Sequence, residues 1–245
     1  MGRKSQDASP PSAAQGYDLP RPHDDGQALT LPVAQRYNRE YQRDAFDLPP
    51  EVEAMSVFQD WTAGKLQARI ASPFWELIAP KKNQHWLDLG CGFSFLIYPW
   101  RDWDAFFHGQ EISNVAQEAV KSRGPQLNSK LFKGVILEAA HRIQSEAQQF
   151  DGVVATGWSC YYPLNYWQTV VAEVKRVLKP GGVFLFDAVD PDQELAENWA
   201  ILETYLGAEV FLPTLADWAN LIAQSGGKII KTADGELFRM MQVRF

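Results

Sequence analysis

From Lys81 onward, short apolar runs alternate with segments that repeat at helical spacing, and this alternation restricts the fold more than any other feature. The run 85–89 has the length of one strand and ends in Gly90-Cys91-Gly92. Strand-like runs follow at 106–112, 131–137, 150–156 and 183–188. Between them, Val115, Ala116, Ala119 and Val120, and later Val170, Val171, Val174, Val177 and Leu178, each fall on one face of a helix. Strands joined through helices pair in parallel and carry helices on both faces of the sheet. The C-terminal end reads differently. Thr214-Leu215-Ala216-Asp217 has the form of a capping box, and Gly226-Gly227 ends the helix that it opens. Residues 228–232, an Asp234-Gly235 turn and residues 237–245 then read as a β-hairpin. The expected fold is α/β: a mostly parallel seven-stranded sheet closed by an antiparallel hairpin.

The first third of the chain does not follow this pattern. Residues 1–30 are rich in Pro, Ser, Gln, Gly and Asp without any period, so they are expected to form a disordered tail. Residues 31–80 are aromatic and helical in spacing, with Tyr37 and Tyr41 four apart and Trp61, Leu66, Ile70, Phe74 and Trp75 following. Pro49-Pro50 and Pro80 interrupt and end them. An N-terminal helical cap over 31–80 and a core over 81–245 are therefore expected.

Composition narrows the function classes. The net charge of −7 disfavours nucleic acid as the main partner, since gripping phosphates takes a basic face. No apolar run approaches the roughly 18–20 residues that span a bilayer, and the N-terminus has no apolar signal core. Cys91 and Cys160 make neither a disulfide framework nor a metal-binding pattern, and the four histidines are scattered, so no metal site and a cytoplasmic location are expected.

The chemistry concentrates at the first strand. Residues 86–94, Trp-Leu-Asp-Leu-Gly-Cys-Gly-Phe-Ser, run straight into a Gly-x-Gly turn, where a ligand can approach the backbone closely. A dinucleotide loop would place a third glycine at position 95, which is Phe95. Asp88, two residues before the loop, would repel a diphosphate and suits a cation. Both features count against a nicotinamide-dependent oxidoreductase. Glu111 follows Asp88 by 23 residues at the end of the second strand. Nucleoside-binding domains place there an acid that accepts the ribose hydroxyls, although a helix cap beside Ser113 is an alternative role.

These pieces, in this order, resemble the class I SAM-dependent methyltransferases, which bind S-adenosylmethionine (SAM) on a Rossmann-like fold. Asp88-Leu89-Gly90-Cys91-Gly92-Phe93-Ser94 is similar to the family's D/E-x-G-x-G-x-G motif, with Ser94 for its last glycine. Residues 150–155 resemble its fourth strand, and Arg176-Val177-Leu178-Lys179-Pro180-Gly181-Gly182 its turn before strand five. The resemblance implies that Asp88 lies near the SAM amino group, that Gly90, Cys91 and Gly92 face the cofactor, and that Glu111 holds the ribose. Glu138, 13 residues before Asp151, stands where the family places an acid near the adenine, although the usual Gly-Asp pair is absent. Pro99 should shorten or kink the helix after the glycine loop.

Parallel α/β sheets bind ligands at the carboxyl ends of their strands, so residues 156–163 are the expected reaction zone, beginning with Thr156 as a cofactor contact. Neither an Asn/Asp-Pro-Pro-Tyr/Phe motif nor a Pro-Cys pair occurs there. Tyr161, Tyr162 and His141 are the catalytic candidates. The tyrosines could equally be packing, and the histidine a surface residue. Nine tryptophans suit an aromatic-walled pocket or plain core packing. The function expected is methyl transfer from SAM to a small molecule, with a protein acceptor second. The alternative is a catalytically inactive SAM-binding regulatory or scaffold protein.

Overall fold

Four helices precede the sheet in the computed structural model, which describes residues 25–123 and 130–245. They are α1 (Asp25–Gln42), α2 (Pro50–Glu53), α3 (Ser56–Thr62) and α4 (Leu66–Ile70). Helix α1 begins inside the segment expected to be a tail; residues 1–24 of that segment lie outside the described residues.

The core that follows contains β1 (His85–Leu89), α5 (Trp100–Trp103), β2 (Phe106–Glu111), α6 (Asn114–Ser122), β3 (Phe132–Leu137), β4 (Phe150–Ala155), α7 (Leu164–Val177) and β5 (Leu178–Val189). It ends with α8 (Ala196–Leu206), α9 (Leu215–Gln224), β6 (Lys228–Asp234) and β7 (Phe238–Arg244). The seven strands form one Rossmann-like sheet in the order β3-β2-β1-β4-β5-β7-β6. Strands β1 to β5 pair in parallel, and β7 is antiparallel to both β5 and β6. The chain leaves β1 towards β2 and β3 and later returns on the other side through β4 and β5. The carboxyl ends of β1 and β4 therefore flank the topological switch point, where such sheets open a crevice.

Alternation along the strands divides the core between two faces. Leu87, Leu89, Val153, Phe184 and Phe186 pack with Val170, Val171 and Val174 of α7. Trp86, Phe107, Val135, Val154 and Leu185 pack on the opposite face with Phe95 and Tyr98.

Three local outcomes bear on the site. The segment 179–182, expected as a turn, belongs to β5 as an irregular lead-in. Phe150 pairs with Leu178 while Gly152 pairs with Val183, and Gly181 takes up the excess chain at φ +79°. The glycine loop leads only into a single turn at Ser94–Leu96 and the short α5, as Pro99 at the start of α5 requires. Helix α8 was not evident in the sequence. Its apolar residues surround the axis: Trp199, Leu202 and Leu206 face inward while Ile201 and Tyr205 are exposed, so no stripe marks it.

Polar bonds fix α1 to the core on several sides. Arg36 donates two hydrogen bonds of 2.9 Å to the carboxylate of Glu203 on α8, both residues buried. Tyr37 donates to the Tyr161 hydroxyl at 2.9 Å. Ser113 donates to Asn38 Oδ1 at 2.6 Å, and Asn38 Nδ2 donates to Asn114 at 2.9 Å. A buried ion pair adds little net stability, but breaking it strands a charge, so the Arg36–Glu203 pair acts mainly to fix where α1 sits.

Candidate functional site

The carboxyl ends of β1, β2, β4 and β5 open into a cavity of about 550 Å³ roofed by α1 and flanked by α4. Its size falls within the roughly 300–1,000 Å³ of small-molecule pockets.

One end is built by the glycine loop. Gly90 and Gly92 both line the cavity and sit at φ +66° and +44°, conformations that glycine enters without strain. Cys91 between them is buried, and burial pushes its thiol well above the ordinary range. Glu111 closes β2 and reaches under the loop. Its Oε2 accepts from the Gly92 amide at 2.6 Å, and its Oε1 accepts from the amides of Ile112 and Ser113 at 2.8 Å each. A carboxylate offers about four acceptor positions. One therefore remains, on Oε2, for a ligand hydroxyl. Burial raises the Glu111 pKa, and the three amides oppose the rise.

Asp88 lies one layer deeper. It is buried and absent from the cavity wall, and it accepts a short hydrogen bond from Tyr98, whose ring does line the cavity. Burial, against the Tyr98 bond, lifts the Asp88 pKa from 3.8 to about 7. Between those values the folded state binds the extra proton, so this group's contribution to stability declines as pH rises from about 4 to about 7 and is then level. The substitution Asp88→Asn is expected to remove that decline. It should gain stability at pH 8 and almost none at pH 4, as read by denaturant titration; an equal gain at both would contradict the assignment.

Glu138 also lines the cavity, just beyond β3. It is half-buried, receives two bonds of 3.0 Å from Arg142, and caps the Ala139 amide at 2.9 Å. Thr156 lines the wall where β4 ends. Tyr161 and Tyr162 both line it and are buried. The Tyr161 hydroxyl donates to Glu203 at 2.9 Å and accepts from Tyr37, while Tyr162 stacks on Tyr166 with ring centres 4.3 Å apart. Burial pushes both phenols well above their ordinary pKa, so both stay protonated at neutral pH. His141 is not on the cavity wall. Its Nδ1 lies 3.1 Å from the Tyr166 hydroxyl, and a Cβ at Gly26 of α1 would fall 2.5 Å from its ring.

Trp158 falls inside the expected reaction zone but had no role assigned to it, and Asp187 was not foreseen. Trp158 lies over Gly90, donates from Nε1 to Leu89 O at 2.7 Å, and stacks on Trp167 with centres 4.5 Å apart. Asp187, near the end of β5, is fully buried; burial raises its pKa to about 7, against bonds from Ser72 Oγ at 2.6 Å and the Gly157 amide at 2.9 Å. A lone acid near the carboxyl end of an otherwise apolar strand was the available signal. Trp61, Leu66, Ile70, Trp75, Trp199 and Phe238 give the cavity wall apolar surface, alongside the polar Arg36, Glu40, Gln67 and Glu203. Among the described residues no group of three or more His, Cys, Asp or Glu could hold a metal ion, and no helix is long and apolar enough to cross a membrane.

Comparison with known proteins agrees with this geometry. Residues 87–186 match the family model described as a methyltransferase domain. No protein of curated function matches the sequence. Among solved structures, the geranyl diphosphate C-methyltransferase from Streptomyces coelicolor A3(2), bound to Mg2+, geranyl diphosphate and S-adenosyl-L-homocysteine, is 12% identical with a TM-score of 0.62, covering 86% of this chain and 98% of that one. The PH0226 protein from Pyrococcus horikoshii OT3 is 20% identical with a TM-score of 0.59, over 80% of this chain and 99% of that one. A SAM-dependent methyltransferase from Aquifex aeolicus is 12% identical with a TM-score of 0.55, over 72% and 91%. At these identities the likeness is one of fold.

Proposed function

We propose that this chain, a member of the class I SAM-dependent methyltransferase family, holds SAM against the 90–92 loop and Glu111 and methylates a small, mainly apolar acceptor bound beneath its helical cap. One observation carries this reading: residues of the glycine loop and aromatic residues of the cap line the same cavity. When bound, SAM supplies a methyl group on a sulfonium, already activated for in-line displacement.

The chain's own residues supply position, orientation and shelter from water. Gly90 and Gly92 let the backbone approach the cofactor, and Glu111 offers its free Oε2 position to a ribose hydroxyl. Glu138 and Thr156 also line the cavity, and in this reading Glu138 meets the adenine and Thr156 contacts the cofactor. The indole of Trp158, beside Gly90, presents an aromatic wall that favours a cationic centre. Tyr161 and Tyr162 remain protonated and act by donating or packing, not as bases.

The cap determines the acceptor class. Trp61, Leu66, Ile70 and Trp75 add apolar surface to the cavity wall, and α1 roofs it, which favours a molecule small enough to be enclosed. Residues 31–80 serve as the cap and 81–245 as the SAM-binding core. Both cysteines are free and buried, and we place the protein in the cytoplasm.

The test is a cell extract divided into small-molecule and protein fractions, each incubated with enzyme and methyl-labelled SAM. Label is expected in solvent-extractable small molecules. Label confined to protein would replace the small-molecule reading with a protein acceptor.

A further inference from the structure

Helix α1 crosses directly above the glycine loop. A Cβ at Gly92 would fall 2.8 Å from the hydroxyl oxygen of Tyr41, so that hydroxyl sits on the loop's open face. Tyr41 lines the cavity, and its ring meets Phe93 edge-on at 4.5 Å and lies 5.7 Å from Tyr37. These contacts hold the ring on both sides. The hydroxyl, unlike those of Tyr37, Tyr161 and Tyr98, has no hydrogen-bond partner among the described residues. It also lies close enough to Glu111 for that carboxylate to raise its pKa, after burial the largest cause. A donor is thus held over Gly92, within electrostatic reach of Glu111 and without a hydrogen-bond partner among the described residues.

We propose that Tyr41 is a cofactor-binding residue: its hydroxyl donates to an oxygen of the bound cofactor, which thereby ties α1 down over the site. The proposal rests on the SAM reading above. It makes α1 part of the binding site as well as the roof of the cavity. Arg36, Tyr37 and Asn38 anchor the helix to α8, to the loop after β4 and to the start of α6, and Tyr41 adds the contact that depends on ligand. Cofactor entry and release then require this part of α1 to lift.

The test is titration calorimetry of the full chain with S-adenosylhomocysteine, for the wild type and Tyr41→Phe, together with hydrogen exchange over residues 36–42. The substitution keeps the ring contacts and removes one hydroxyl, so an unchanged melting temperature is expected. Affinity should fall about tenfold, the loss expected of a single hydrogen bond at the upper end of the usual range. Ligand should slow exchange in this segment of the wild type and slow it less in the variant. Equal affinity and equal protection would overturn the role of Tyr41 and leave the SAM reading standing. A wild type that does not bind S-adenosylhomocysteine would overturn both.

Discussion

The substitution Gly90→Val is expected to abolish SAM binding and to destabilise the fold by about 3 kcal/mol or more. Two causes add. At φ +66° a β-branched residue is strained whatever space surrounds it. The space is also taken, since a Cβ there would lie 2.6 Å from Trp158 Cδ1 and 2.7 Å from its Nε1. The indole cannot yield cheaply, because it donates to Leu89 O and stacks on the buried Trp167. The damage therefore reaches beyond the ligand's path into the packing under α7. Thermal melts report the loss of stability, and calorimetry with SAM reports the loss of binding. A variant that melts like the wild type and binds SAM equally would show that the loop is not the cofactor cradle.

The second large effect is expected from Glu111→Ala. On the proposed reading, removing the carboxylate deletes an acceptor for a ribose hydroxyl, and a charge-assisted hydrogen bond contributes roughly 1.5–3 kcal/mol, or about 10- to 150-fold in affinity. It also frees the amides of Gly92, Ile112 and Ser113, so the loop loses the side chain that shapes it. The same carboxylate gives SAM binding a pH dependence. Its pKa is raised by burial, so affinity should hold at neutral pH and decline as pH falls and the group is protonated. Unchanged affinity in a folded Glu111→Ala variant would remove the residue from the site.

Local pattern made much of this legible in the sequence. The strand at 85–89 appears with the bounds that its apolar run suggested, and the capping box at Thr214 and Asp217 forms through reciprocal bonds of 3.2 and 3.0 Å. Gly90, Gly92 and Glu111 meet because β1 and β2 are parallel neighbours in a register that sets Leu89 beside Gln110. The parallel pairing follows from the alternation of strand and helix, and the fold supplies the register. What stayed hidden depends on contacts distant in the chain. Arg36 and Glu203 are 167 residues apart, and neither carries a local mark of its partner. Trp158 lay within the expected reaction zone, but only the fold places it over Gly90. Asp88 stood at the expected motif position, yet the alternation of β1 turns it towards Tyr98, a partner ten residues on with no mark in the local pattern. Helix α8 was missed because burial on one side and exposed Ile201 and Tyr205 on the other blur its apolar face.

Titration calorimetry of the purified protein with SAM, S-adenosylhomocysteine and NADH decides whether the cavity at the ends of β1 and β2 is a SAM site. Binding of SAM and S-adenosylhomocysteine at one site per chain is expected, with no heat from NADH. Binding of NADH in their place, or silence from all three, would contradict it.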